Sequence, residues 1–127
     1  MLWTDKSKTE LILLNVRNID VPKLYFFGKS ATARPVDIKI NVGKWHKIIS
    51  DRKLGAFGRI FVTHTEIVKI CDFDTELLDK LGYASIEEYL SEPFNKGLTV
   101  NDYKKVIFWN KFEANEDIIW EIMSKLL

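Results

Sequence analysis

The sequence predicts an α+β fold, in which a small and mostly antiparallel β-barrel or sheet carries helices at its ends. The segments with strand character outnumber the helical segments that could cross between parallel strands, which argues against a doubly wound parallel sheet. The length of 127 residues, of which 46% are hydrophobic, suits one globular domain spanning residues 1–127.

The first third of the chain predicts a strand, a helix and a second strand. Glu10–Val16 is an apolar run of strand length. Asp20 and the Pro22 that follows it predict a helix start, and Gly28 predicts its end. Residues 29–35 form a loop or a short extended segment. In Ile38–Val42 the apolar residues alternate with polar ones, which predicts a half-buried strand.

The middle of the chain predicts two further strands joined by a basic loop. Trp45–Ile49 is expected to be extended, and residues 50–58 form a glycine-containing loop. Arg59–Ile70 is rich in β-branched residues, which is typical of a strand. These strands and the loops beside them contain several of the basic residues of the first half of the chain.

The last third of the chain predicts two short helices, a strand and a terminal helix. Asp74 is a candidate N-cap, and Gly82 is placed to end that first helix. Ser85 opens a capping box for the second helix. Lys105–Phe112 reads as the final strand, and residues 114–127 as an amphipathic helix.

Charge is unevenly distributed along the chain, although the net charge is only +1. Residues 1–70 hold 13 Lys/Arg against 6 Asp/Glu, whereas residues 71–127 hold 6 against 12. This asymmetry predicts a basic face able to meet a polyanion, unless the two halves interleave in space and cancel.

The remaining composition limits the class of protein. A single cysteine excludes a disulfide within the chain and a cysteine-based zinc site, and it suits a reducing compartment. His46 and His64 have no metal-binding spacing, so we expect no metal and no cofactor. No apolar run is long enough to span a membrane, and the first residues do not resemble a secretion signal. We therefore expect a cytoplasmic protein without a membrane partner.

Four segments, taken in order, resemble the ASCH family of small RNA-associated β-barrel modules. Residues 28–34 (GKSATAR) resemble its motif of Gly, Lys, a hydroxyl residue, any residue, Thr, any residue and Arg. Ile40–Gly43 and Arg59–Val68 resemble two of its strands. Asp72–Tyr89 (DFDTELLDKLGYASIEEY) resembles its helix, Gly-aromatic turn and following helix.

The resemblance implies a PUA-like β-barrel over about residues 10–113, to which residues 114–127 add a helix. It also implies RNA association, or hydrolysis of a modified nucleoside. Members that act as amidohydrolases on acetylated cytidine resemble this chain at Lys29, Thr32 and Arg34. Those members also have a Glu immediately before the turn glycine, where this chain has Leu81.

Residues 29–34 are open to three interpretations from their chemistry alone. Lys29 and Arg34 can hold a phosphate, with Ser30 and Thr32 shaping the loop. Alternatively, Lys29 with a lowered pKa could activate the Thr32 hydroxyl, with Glu66 as the most interesting proton-transfer partner. In the third interpretation these are solvated loop residues.

We predict an RNA- or nucleotide-binding module with a basic cleft around Lys29–Arg34. Two alternatives remain open: a hydrolase acting on a modified nucleoside or on RNA, and a protein-interaction module that uses the C-terminal helix. The oligomeric state is not predicted. The residues expected to line the cleft are Lys29, Ser30, Thr32, Arg34, Lys44, Trp45, Lys47, Arg52, Lys53 and Arg59.

Overall fold

The structure, a computed structural model, describes residues 9–126. Strands and helices alternate irregularly along this part of the chain. They are β1 (Thr9–Asn15), α1 (Val21–Tyr25), β2 (Ala31–Arg34), β3 (Trp45–Ile49), β4 (Ala56–Lys69), α2 (Thr75–Leu81), α3 (Ile86–Leu90), β5 (Tyr103–Ala114) and α4 (Glu116–Ser124). Single turns of 3-10 helix lie at Asn18–Asp20, Ile70–Asp72 and Pro93–Asn95. None of the described helices is long and apolar enough to cross a membrane.

The five strands form one mixed sheet in the order β1-β3-β4-β5-β2. Only the β1–β3 pair is parallel, and the other three pairs are antiparallel. The sheet curls so far that its two edge strands are bridged, since the Arg34 Nη2 atom on β2 donates to the Asn15 carbonyl oxygen on β1 at 2.7 Å. The predicted α+β class, with a mostly antiparallel half-barrel, is therefore confirmed.

Strand β5 is buried on both faces and separates two apolar clusters. Ile107 and Trp109 pack with α1, α4 and the inner face of β3 and β4. Val106 and Phe108 pack with β2 and the helices α2 and α3. This two-sided burial explains the continuous apolar run in β5, because a strand covered on both faces does not alternate with polar residues.

The predicted ends of α2 and α3 are confirmed, whereas Asn115, which the sequence also suggests as a cap, makes no side-chain capping bond to α4. Asp74 Oδ1 accepts a hydrogen bond from the Leu77 amide at 2.8 Å at the start of α2. Gly82 follows α2 with a φ of +90°, a backbone conformation that glycine adopts without steric cost. Ser85 Oγ accepts from the Glu88 amide at 3.1 Å and caps α3.

The strand predicted at Ile38–Val42 is wrong. Residues 35–44 form turns, and the Ile38 amide donates to the Pro35 carbonyl at 3.1 Å. Ile38 and Ile40 still pack against the core, which accounts for the apolar alternation in this segment. The place beside β3 in the sheet is taken by β1, and this segment joins the sheet only at its end, where Gly43 and Lys44 exchange backbone hydrogen bonds with Val62 of β4.

The first helix is shorter than predicted, and its start is built differently. Asp20 makes no capping bond to the helix, because its carboxylate binds the Arg17 guanidinium at 3.0 and 3.3 Å. The helix ends at Tyr25, so that Phe27 is 80% exposed rather than packed on a helix face. The Gly28 that follows has a φ of +69° and turns the chain toward β2.

The C-terminal helix is part of the core. Ile119 and Ile122 of α4 are fully buried in the cluster that includes β3 and β4. Trp120 lies on the opposite side of the helix and is 54% exposed. Residues 116–124 therefore cover one end of the curled sheet, as the amphipathic pattern predicts.

Candidate functional site

A cavity of about 540 Å³ opens where the edge strands β1 and β2 approach each other. Its walls come from the two edge strands, the segment between β1 and α1, the end of α2, the α3 region and β5. The residues that line it are Leu14, Asn15, Val16, Arg17, Asp20, Leu24, Lys29, Thr32, Ala33, Arg34, Pro35, Ile48, Ser50, Ile60, Leu81, Tyr83, Tyr89, Phe94, Lys104 and Trp109. Four of these are cations and one is a carboxylate.

Lys29 enters this cavity from the loop between α1 and β2. Its Nζ atom donates to the Leu81 carbonyl oxygen at 2.5 Å. Burial lowers the pKa of the Lys29 ammonium to about 8; Asp20 opposes this change, and the neighbouring cations Lys23 and Arg34 add to it. Lys29 is therefore a cation at neutral pH that gives up its proton more readily than an exposed lysine does.

Thr32 and Arg34 share one face of β2, because they are two residues apart on a strand. The Arg34 Nε atom donates to Thr32 Oγ1 at 3.2 Å, while Nη2 donates to the Asn15 carbonyl. Burial lowers the pKa of Arg34, although an arginine remains charged in proteins. These two bonds fix the guanidinium in the cavity wall between the sheet edges.

Arg17 is held by carboxylates on two sides. Asp20 accepts from its Nε and Nη2 atoms, and Glu92 accepts from Nη2 in a short contact. The Tyr83 hydroxyl donates to the same Glu92 oxygen at 2.8 Å, and the guanidinium lies 5.0 Å from the centre of the Phe94 ring. Burial lowers the pKa of Arg17, but the hydrogen bonds to the two carboxylates outweigh it and raise the pKa overall. The charge of Arg17 is therefore compensated within the protein.

Lys104 and Tyr89 are buried residues of the cavity wall whose side-chain polar groups form no hydrogen bond or ion pair with the side chains described, those of residues 14–126. Lys104 of β5 is only 6% exposed, and its amine is unpaired. The Tyr89 hydroxyl of α3 belongs to a side chain that is 1% exposed; the Asn95 side chain is its polar neighbour, but the two do not form a hydrogen bond of normal geometry. Burial raises the pKa of Tyr89 to about 12, so this hydroxyl remains a donor at neutral pH.

The predicted residues are only partly brought together. Lys29, Thr32 and Arg34 line the cavity, whereas Ser30 does not. Trp45 and Lys47 alternate with buried His46 and Ile48 on β3, which places them on the outer face of the sheet.

Arg59 pairs with Lys47 across β3 and β4 and lies on that outer face too. Its guanidinium lies 4.6 Å from the centre of the Trp45 ring and is bound to Glu113 at 2.9 Å. Lys44, Arg52 and Lys53 are exposed in loops and are also absent from the cavity wall. The prediction that these six residues line one cleft with Lys29 is therefore wrong.

Glu66 does not belong to the cavity either. It is exposed on β4, and its carboxylate lies 3.7 Å from the His64 imidazole. Among the side chains that the structure describes, those of residues 14–126, no carboxylate is hydrogen-bonded to Lys29 or to Thr32. Glu66 is therefore not a proton-transfer partner for this pair in the structure.

Leu81 occupies the position for which the family resemblance implies a Glu. This leucine lines the cavity, is 1% exposed, and offers Lys29 only its backbone carbonyl. The cavity wall thus has an aliphatic side chain next to the lysine amine. This arrangement lowers the ability of Lys29 to take part in carboxylate-assisted proton transfer.

Sequence reasoning missed Arg17, Tyr83, Tyr89 and Lys104. Each lies in a local pattern with an ordinary structural explanation, such as the capped helix that contains Tyr89. Lys104 stands next to Lys105 at the start of a strand, and such a pair is typical of a solvated strand end. The one available signal is the Gly-aromatic turn at Gly82 and Tyr83, which the family resemblance had already marked.

The described residues contain no group of three or more His, Cys, Asp or Glu side chains able to hold a metal ion. The donors that face the cavity are instead amine, guanidinium and hydroxyl groups. Such donors suit an anionic ligand, because each can offer N–H or O–H bonds to oxygen atoms.

The fold can be compared with those of known proteins. The crystal structure of ASCH from Zymomonas mobilis superposes with a TM-score of 0.61 at 10% identity, and the match covers 88% of this chain and 78% of that chain. Two point mutants of the same protein give TM-scores of 0.62, with 88% of this chain and 78–80% of theirs covered. The sequence matches no protein-family model and no curated protein. The chain therefore has an ASCH-like fold.

Proposed function

We propose that this protein binds RNA or a nucleotide in the cavity between β1 and β2. The observation that carries this proposal is the uncompensated positive charge of the cavity wall. Arg17 is paired with Asp20 and Glu92, whereas Lys29, Arg34 and Lys104 form no ion pair with any carboxylate among the described side chains. Buried cations are costly unless an anion pairs with them, so a polyanionic ligand would stabilise this arrangement.

The size and the other wall residues of the cavity also suit a nucleotide. A volume of about 540 Å³ lies within the usual range for small-molecule sites. Tyr83 and Phe94 stand beside the arginine network at one part of the wall, and Trp109 lines another part. Aromatic rings can stack on a base, and the cations can meet its phosphate.

Binding of a labelled single-stranded RNA over a series of salt concentrations tests the proposal. Phosphate contacts release counterions, so affinity should fall steeply as salt rises. In Lys29→Met the affinity should drop and the slope of log affinity against log salt should become shallower by about 1. Absence of binding at low salt would overturn the proposal.

Lys96→Met is the matched control for this experiment. Lys96 is exposed in a turn and lies outside the cavity wall, yet its substitution removes the same charge. Its affinity should remain within about twofold of that of the unmodified protein. If Lys96→Met and Lys29→Met weaken binding equally, the RNA affinity depends on the net charge of the protein and not on the cavity.

A hydrolase acting on a modified nucleoside or on RNA is the second candidate. The lowered pKa of Lys29 favours it, because an amine that releases its proton near pH 8 can serve as a base. Against it stands the aliphatic Leu81 beside that amine. Release of acetate from N4-acetylcytidine, or cleavage of RNA, would support this candidate if Lys29→Met abolished the activity.

A protein-interaction role for the C-terminal helix has less support. The buried side of α4 is used within the fold, where Ile119 and Ile122 contact the core. The remaining exposed aromatic, Trp120, forms edge contacts with Tyr25 and Phe26 at 6.3 and 6.2 Å between ring centres. A cytoplasmic location, where RNA is available, is part of the proposal.

A further inference from the structure

Three donor groups of the cavity wall come from three different elements. Arg34 lies on β2, Tyr89 on α3 and Lys104 on β5. Each influences another electrostatically, since the charge of Arg34 lowers the pKa of both Lys104 and Tyr89, although burial has the larger effect on each. All three side chains line the same cavity.

Two of these donors are unpaired despite their burial. A tyrosine hydroxyl that is buried without a hydrogen bond is costly in a folded protein, and a lysine that is only 6% exposed holds its charge in a poorly hydrated position. A buried polar group without a partner can be explained in two ways: its side chain fills space in the core, or its polar atom binds a ligand. Packing alone would be served by methionine and phenylalanine, which have similar shapes and no polar atom.

We infer that Arg34, Tyr89 and Lys104 form a subsite for a phosphate monoester, which is the terminal phosphate of a nucleotide or of an RNA end. This inference rests on the proposed binding of RNA or a nucleotide in the cavity. An ammonium, a guanidinium and a hydroxyl together offer the donors that three phosphate oxygens can accept.

The charge of the subsite favours a monoester over an internal phosphodiester. A phosphate monoester carries between one and two negative charges near neutral pH, whereas a diester carries one. Arg34 and Lys104 supply two cations that form no ion pair with the carboxylate of the cavity wall, although Asp20, which is bound to Arg17, partly offsets the effect of burial that lowers the pKa of Arg34.

The test compares three labelled decauridylates that differ only in their ends. One has a 5′-phosphate, one has a 3′-phosphate, and one has hydroxyl groups at both ends. At least one phosphorylated form should bind the unmodified protein about tenfold more tightly than the hydroxyl form, as expected from charge-assisted hydrogen bonds. In Lys104→Met and in Tyr89→Phe that difference should shrink to about twofold or less.

Two conservative controls accompany these variants. Tyr103→Phe removes a hydroxyl from an exposed tyrosine of β5, and Lys96→Met removes an exposed charge. Both should keep the preference for the phosphorylated end. Thermal unfolding of each variant without ligand checks that it is folded, and a folded Lys104→Met that keeps the full preference would overturn the inference.

Inorganic phosphate separates failure of the subsite from failure of the proposed function. Equal binding of all three decauridylates would overturn the subsite and leave RNA binding standing. Absence of RNA binding, together with a phosphate-induced rise in melting temperature that Lys104→Met loses, would overturn the RNA proposal and support the subsite. If neither RNA nor phosphate acts on the protein, both proposals are wrong.

Discussion

Arg34 on one edge strand donates a hydrogen bond of 2.7 Å to the backbone carbonyl of Asn15 on the other edge strand. The two strands are separated by three others in the sheet, so this single side chain bridges the gap that the curl leaves. The same guanidinium also binds Thr32 and lines the cavity. One residue thus contributes both to closure of the half-barrel and to the charge of the candidate site.

Replacing Arg34 by methionine should loosen this gap. The loss of two hydrogen bonds from a partly buried guanidinium should lower the free energy of unfolding by about 1–3 kcal/mol. Exchange of the backbone amides in β2 should become faster, while that in β4 should change little. Denaturant unfolding and amide hydrogen exchange measure both effects, and Arg52→Met, at an exposed loop position, is the control. Unchanged stability would show that the bridge does not hold the edges together.

Stability should depend on pH through Lys29. The unfolded chain keeps a proton on this amine up to about pH 10.5, whereas the folded protein releases it near pH 8. Between these values the unfolded state binds more protons, so the free energy of unfolding should rise with pH. Over this range the gain should be on the order of 2 kcal/mol, after allowance for partial exposure.

Lys29→Met is the variant that isolates this dependence. Other titrating groups remain in both proteins, so the difference between the two stability curves reports on Lys29. The free energy of unfolding of Lys29→Met should exceed that of the unmodified protein most below pH 8, and this difference should diminish as the pH rises. Parallel curves from pH 7 to pH 10 would contradict the lowered pKa.

Leu81→Glu should raise the pKa of Lys29. The new carboxylate would stand next to an amine that now meets only the Leu81 carbonyl, and a nearby negative charge favours the ammonium form. The side chain at position 81 is buried, so the variant should also lose stability. NMR titration of the lysine Nζ-linked carbon signals measures the pKa, with Leu98→Glu, at a half-buried site in the neighbouring cluster, as the control. If the pKa of Lys29 stays near 8 in Leu81→Glu, the side chain at position 81 does not lie next to the Lys29 amine.

The two faces of α4 should respond differently to truncation of their side chains. Ile122→Ala removes fully buried carbon atoms and should cost about 2–4 kcal/mol of stability. Trp120→Ala removes an exposed ring with only edge contacts and should cost less than about 1.5 kcal/mol. Denaturant unfolding measures both values, and a chain ended after Asn115 should fail to give a cooperative transition. If the truncated chain is monomeric and unfolds cooperatively, α4 is not needed for folding, and a role in docking a partner would be supported instead.

Local signals in the sequence predicted much of the second half of the fold. Asp74, Gly82 and Ser85 act through bonds and backbone angles within a few residues of themselves, so their effects could be predicted without knowledge of the tertiary structure. The Lys29, Thr32 and Arg34 spacing was also informative. Alternation along a strand sets Thr32 and Arg34 on one face, whichever strand pairs with β2.

Long-range pairing explains what could not be predicted. Ile38 and Ile40 alternate as a strand would, but the parallel pairing of β1 with β3 leaves them no neighbour. Lys104 and Tyr89 line the same cavity as Lys29 although they lie far from it in the sequence, which depends on the curl of the sheet and on the packing of α3. The pattern of basic residues on β3 and β4 was visible in the sequence, but the face to which it points depends on the strand register.

Mapping an RNA oligonucleotide onto the backbone amides by NMR tests the central claim most directly. Upon titration with a 5′-phosphorylated decauridylate, the largest shifts should fall on residues 29–34 and on the amides of Tyr89 and Lys104. The amides of Trp45 and Lys47, on the outer face, should move little. Shifts confined to that outer face, or no shifts at low salt, would contradict the account of a cationic binding cavity between the two edge strands.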